Sequence, residues 1–123
     1  MTTMAYEKDL KCRSFIVDTD LSDYQYCAVK MNSDEEIILA SDANDRALGV
    51  LQDAPSAAGR PCLVGVGGVT KAKAAAAIIA GAAVEVGAGG KFQTLTSGPI
   101  AGIAYTAAGD ADELFSLEFF SGE

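Results

Sequence analysis

Apolar and polar positions along this chain alternate in short bursts, each closed by a turn signal. That spacing predicts β-strands. Residues 24–31 alternate as a strand, Asn32-Ser33-Asp34 reads as a turn, and residues 36–40 return as the second strand of a hairpin. Further strands are predicted at residues 47–52, from Pro61 through the glycine-broken run Gly65-Val66-Gly67-Gly68-Val69, and at 84–86, 91–95, 100–106 and 113–120. In the last of these Phe115, Leu117 and Phe119 fall on one face by period-two alternation and form the strongest core candidate. Phe120 falls on the opposite face, where either an oligomer contact or a second partly buried face accounts for it. Residues 71–79 are expected to run as strand to about Lys73, then to make at most two helical turns on alanine propensity.

One unit occurs twice. Ala47-Leu48-Gly49-Val50-Leu51 leads through a loop to Ala58-Gly59 and then to Cys62-Leu63-Val64-Gly65-Val66. Ile100-Ala101-Gly102-Ile103-Ala104 leads through Ala108-Gly109 to Leu114-Phe115-Ser116-Leu117, and a half copy, Ala80-Gly81 into Val84-Glu85-Val86, lies between them. Strand, glycine-tipped turn, strand is the reading of each copy. The fold class is therefore all-β: a small barrel or sandwich of short strands with at most one short helix.

Residues 1–20 differ from the rest. Charges of both signs alternate from Glu7 to Arg13 and apolar residues are sparse, so this segment reads as an extended arm, ordered by a partner, ahead of a β-rich domain at 21–123. At 123 residues the chain is one domain with one appended arm.

The net charge of −8 argues against nucleic acid and against an anionic membrane surface, both of which call for a basic face. Histidine is absent, and no nucleophile stands beside a base in the pattern, so no catalytic residue, cofactor or small-molecule substrate is assigned. Cys12, Cys27 and Cys62 form no C-x-x-C, which disfavours zinc, and their odd number suits free thiols in a reducing compartment. Lys11 and Arg13 flank Cys12 and would lower its pKa if close. Gly65 to Lys71 resembles a phosphate loop only superficially, because the glycine spacing is wrong and Thr70 precedes Lys71. Asp42-Ala43-Asn44-Asp45 and the acids Asp110, Asp112 and Glu113 read as polar turns rather than as metal or acid–base sites.

The strand 47–51, the turn at Ala57-Ala58-Gly59, the strand 64–69, Ala80-Gly81 and Gly102-Ile103-Ala104 with its Ala-Ala-Gly turn together resemble the capsid decoration, or cement, proteins of tailed bacteriophages. Leu21-Ser22-Asp23-Tyr24-Gln25-Tyr26-Cys27-Ala28-Val29-Lys30 is similar to the first strand of that family. The resemblance covers about residues 20–120. It implies a β-tulip-like fold on the outer surface of the expanded head, made in the host cytoplasm. It further implies a homotrimer at three-fold or quasi-three-fold positions that bridges subunits of the major capsid protein. An arm contact would fall to Tyr6, Leu10, Lys11, Arg13 and Phe15, and an oligomer contact to Phe120. A non-catalytic module for glycans or a host surface is the alternative, weakened by the absence of tryptophan. On this reading, deletion of residues 1–20 is expected to leave the body folded and to abolish capsid binding in co-sedimentation.

Overall fold

A computed structural model gives the fold over residues 5–42 and 44–120; the first four residues of the expected arm, and Ala43 of the Asx-rich loop, lie outside this range. Among the described residues nine strands form: β1 Lys8–Ile16, β2 Ala28–Met31, β3 Ile37–Leu39, β4 Gly49–Leu51, β5 Pro61–Lys73, β6 Ala83–Val86, β7 Phe92–Thr94, β8 Gly102–Ala104 and β9 Leu114–Phe119. β2 to β9 overlap the runs where the alternation predicts strands, whereas β1 lies in the segment read as an arm; the 24–31/36–40 hairpin is β2–β3 in the register Met31↔Ile37. The strands make one curled antiparallel sheet in the order β3-β2-β4-β5-β9-β8-β6-β7, with β1 added along β5.

That order is a duplication. β1, β5, β4, β2 and β3 pair in succession, and a parallel bridge Val17↔Ile37 brings β3 back to the end of β1. β5, β9, β8, β6 and β7 pair in the same succession, and a parallel bridge Ala74↔Phe92 brings β7 back to the end of β5. Two rings result, sharing β5. The equivalence extends to single hydrogen bonds. Val17 N–H donates to the Arg60 carbonyl (3.0 Å) as Ala74 N–H does to Glu113 (2.9 Å). Leu51 N–H donates to Cys27 (3.0 Å) as Ala104 N–H does to Ala82 (2.9 Å). Gly59 and Asp112 occupy the same place in the two rings, both left-handed at φ 84° and 70°. The second turn therefore aligns on Asp112 and not on Gly109, and the half copy at Ala80-Gly81 corresponds to residues 25 and 26.

Each ring has its own filling. Val17, Leu21, Val29, Ile37, Leu51, Cys62 and Val64 pack inside the first. The second is larger and centres on Phe92 and Phe115, whose rings meet edge to face at 6.4 Å between centroids. Phe115, Leu117 and Phe119 are all buried, as the alternation required.

Two placements differ from the sequence reading or refine it. β5 ends at Lys73 as expected, but no helical turn follows: Ala74 bridges to Phe92, and Ile78 bridges to Ala108. Ring closure overrides alanine propensity there. Within the segment read as an arm, Lys8 to Ile16 forms a strand of the chain's own sheet, paired with β5 from Lys8↔Val69 to Ile16↔Pro61, and Val17 is fully buried.

Gly49 and Gly102 are equivalent positions where strands approach closely. A Cβ on Gly49 would collide with the Gly65 carbonyl, and one on Gly102 with the Glu118 carbonyl. Replacing either by alanine is expected to lower stability by about 1–3 kcal/mol, read in urea unfolding. Because truncation at residue 20 removes β1 and Val17 from the first ring, the truncated chain is expected to melt at lower temperature than the full chain. An unchanged melting temperature would show that the arm contributes nothing to the body.

Candidate functional site

The described residues offer surfaces rather than a reactive centre. β1 carries Lys8, Lys11 and Arg13 against the single acid Asp9, on a chain of net charge −8. Tyr6, Lys11 and Arg13 stand exposed; Leu10 and Phe15 are half-buried, Leu10 lying over Gly65 and Phe15 against the filling of the first ring. The Tyr6 N–H donates to Ser116 Oγ (2.7 Å), which ties the entry of β1 to β9. The structure thus sets Tyr6, Lys11 and Arg13 facing solvent and turns Leu10 and Phe15 partly inward.

Phe120 is elsewhere. It is 42% exposed and stands with Ile100, 43% exposed, on the wall of a groove of about 510 Å³. Gly67, Gly68, Val86 and Phe119 also line this groove, with Arg46 at one side. Two polar devices fix its walls. Lys30 Nζ donates to Asp45 Oδ1 (2.9 Å), and the other oxygen of Asp45 accepts the N–H groups of Ser41 and Asp42, so the 41–46 turn is held closed and the Asp45 carboxyl is kept below its ordinary pKa. At the equivalent place in the second ring stands Glu85, fully buried. Its carboxylate accepts from Gln93 Nε2 (2.6 Å), Thr96 Oγ1 (2.8 Å), Ser97 N–H (3.3 Å) and Gly98 N–H (2.7 Å). Those donors, Gln93 foremost, outweigh desolvation and hold the pKa at about 2. The 95–98 loop, which delivers Pro99 and Ile100 to the groove, is therefore pinned to a buried charge. Sequence reading did not find Glu85, Arg46 or Ile100, because no local pattern announces a carboxylate whose donors lie eight to thirteen residues downstream.

The other candidates resolve simply. Gly65 to Lys71 lies within β5 and not in a loop before a helix, so it is not a phosphate loop. Burial and Glu7 raise the Cys12 pKa, opposite to the effect expected of Lys11 and Arg13. Burial raises Cys27, and raises Cys62 to about 11 with help from Asp53. Asp112 pairs with Lys91, and Glu113 accepts the Gly109 N–H (2.8 Å). No helix among the described residues is long and apolar enough to cross a membrane, and none of their side chains gather into a group of three metal ligands.

The chain belongs to the phage cement protein family, whose model matches residues 23–118. It is thus a structural, capsid-associated virion component of a bacteriophage, in a family that is not one of enzymes. Its fold is shared with the crystal structure of the head fiber N base of bacteriophage phi29, at a TM-score of 0.67 and 17% identity over 93% of this chain and 97% of that one. No curated protein matches the chain in sequence.

Because the Glu85 pKa is depressed in the folded state, its contribution to stability is complete above the ordinary value of 4.5 and is lost as the pH falls through about 2. Thermal melts from pH 7 to pH 2 are expected to show this loss. Glu85→Gln is expected to melt lower at pH 7 and to show a flatter acid limb.

Proposed function

We propose that this protein decorates the outer surface of the expanded phage head as a homotrimer at three-fold or quasi-three-fold positions, after synthesis in the host cytoplasm. There it bridges neighbouring subunits of the major capsid protein and stiffens the shell. The observation that carries this reading beyond the family is the contrast between β1 and the rest of the chain. Three of the nine cations lie on this one strand, and Lys11 and Arg13 are exposed beside Tyr6. A basic, extended strand on an acidic body is suited to an acidic protein surface, and opposite charge speeds and orients such an encounter. The arm acts in this reading through the outward face of β1, with Tyr6, Lys11 and Arg13 in contact and Leu10 and Phe15 anchoring the strand. Many copies on one lattice make individually weak contacts collectively strong.

Purified protein mixed with expanded, undecorated heads is expected to co-sediment and to saturate at a fixed ratio to capsid subunits. The double variant Lys11→Glu, Arg13→Glu is expected to bind at least about tenfold more weakly while melting as the unaltered protein does. Absence of binding by the unaltered protein at high excess would remove the decoration role for that shell.

A further inference from the structure

Among the described residues, the groove at Phe120 and the most exposed large apolar side chain, Ile79, have no partner. Ile79 is 78% exposed. It lies at the tip of an uncharged run, residues 74–84, whose Ala76, Ala77, Ala80 and Gly81 are also exposed. This tip is not a loose loop. Ile78 bridges to Ala108, and Gly81 N–H donates to the Ala104 carbonyl (2.7 Å), so the apolar side chain is presented from a fixed support.

Tip and groove lie at opposite ends of the same strands. β8 starts beside Ala101 in the groove and ends at Ala104, which holds the tip; β6 runs back from Ala83 to Val86 in the groove. Four residues of strand, about 13 Å, separate the two ends. Their charges are complementary. Beside the groove stands Arg46, exposed and without an ion pair among the described residues, since Asp45 is taken by Lys30. Beside the tip, the loop that carries Ala108 continues to the exposed acid Asp110, while Asp112 is taken by Lys91.

We propose that copies of this chain join head to tail, with the Ile79 tip of one copy seated between Ile100 and Phe120 of the next and Arg46 of the groove facing the neighbour's acidic loop at Asp110. The inference rests on the homotrimer reading above and names the contact that would build it. Charge selects this arrangement over a two-fold dimer. A two-fold axis through the tip sets the acidic loop against its own copy, and one through the groove sets Arg46 against Arg46. Tip against groove pairs opposite charges and sets an apolar side chain against the apolar wall of Ile100 and Phe120. A contact between two different surfaces repeats from copy to copy, and it closes into a ring when the rotation allows. Both walls of the groove are already fixed, by Asp45 and by Glu85, so little ordering is left to oppose association.

The test uses full-length Ile79→Asp and Phe120→Asp, both at exposed positions, with thermal melts to confirm folding. Sedimentation velocity and light scattering give the mass of the unaltered protein, of each variant, and of the two variants mixed in equal amounts. The unaltered protein is expected to form a closed ring, and each variant to associate at least about tenfold more weakly. The mixture is expected to stop at a one-to-one pair, because one intact tip meets one intact groove and no ring can close. Arg46→Glu is expected to weaken association, and adding Asp110→Lys to restore it. The proposal is overturned if the unaltered protein stays monomeric at about millimolar concentration, where even a weak contact is populated. It is also overturned if either variant keeps the full mass, or if the mixture forms no pair. Head co-sedimentation, run in parallel, separates the two readings. A monomer that still binds heads leaves the capsid role standing without this contact, and a ring that does not bind them leaves the contact standing without the role.

Discussion

β5 belongs to both rings at once, and every other strand takes its position from that fact. Its thirteen residues pair with β1 and β4 toward one end and with β9 toward the other. Backbone groups in a buried sheet must find partners, so a strand serving three neighbours has to stay approachable. Gly65, Gly67 and Gly68 lie where those neighbours converge. Gly68 lets the irregular segment of β1 at Asp9 come against the backbone, and the missing side chain of Gly65 leaves room for Leu10 and Gln52. Glycines that read as breaks in a strand in the sequence are the junction of the two rings.

The rings solve one mechanical problem with different chemistry. Each must hold the loop that enters its third strand, the 41–48 segment before β4 and the 95–101 segment before β8. The first ring uses Lys30, half-exposed, against Asp45. In the second, Glu85 is buried and draws in backbone and side-chain donors instead of a cation. A buried carboxylate with four donors is fully satisfied, and a satisfied buried charge fixes geometry more tightly than an exposed pair does. The surfaces available for contact are consequently supported from beneath. Burial raises the pKa of all three thiols.

The strands were legible because period-two alternation reports burial directly, as with Phe115, Leu117 and Phe119. The recurrence of Gly49 and Gly102 was legible because close backbone approach leaves glycine as the only fit. Its continuation was less so. Ala58-Gly59 and Ala108-Gly109 look alike, yet Gly59 is matched by Asp112, because the hydrogen bonds that close a ring preserve backbone position and not residue type. The run after Lys73 takes up none of the two helical turns allowed to it for a related reason: alanine favours helix in isolation, while Ala74 and Ile78 are claimed by Phe92 and Ala108. Of the contact residues, Phe120 was visible as the odd residue on its strand. Arg46, Ile100 and Ile79 were not, because they matter through neighbours distant in sequence.

Sharing β5 also sets an order of events during synthesis. Lys8 must wait for Val69 and Ile16 for Pro61, so the first ring has no closing strand until β5 is made. Once β5 exists, its far end is at the same time a finished wall of that ring and the template on which β9 will later pair. This pairing allows the first ring to close before β9 is made. Long-range antiparallel pairing of this kind is slow, and it leaves strand edges open in the interval. The acidic charge spread over the remainder of the chain sets like charge against like where two such open edges meet.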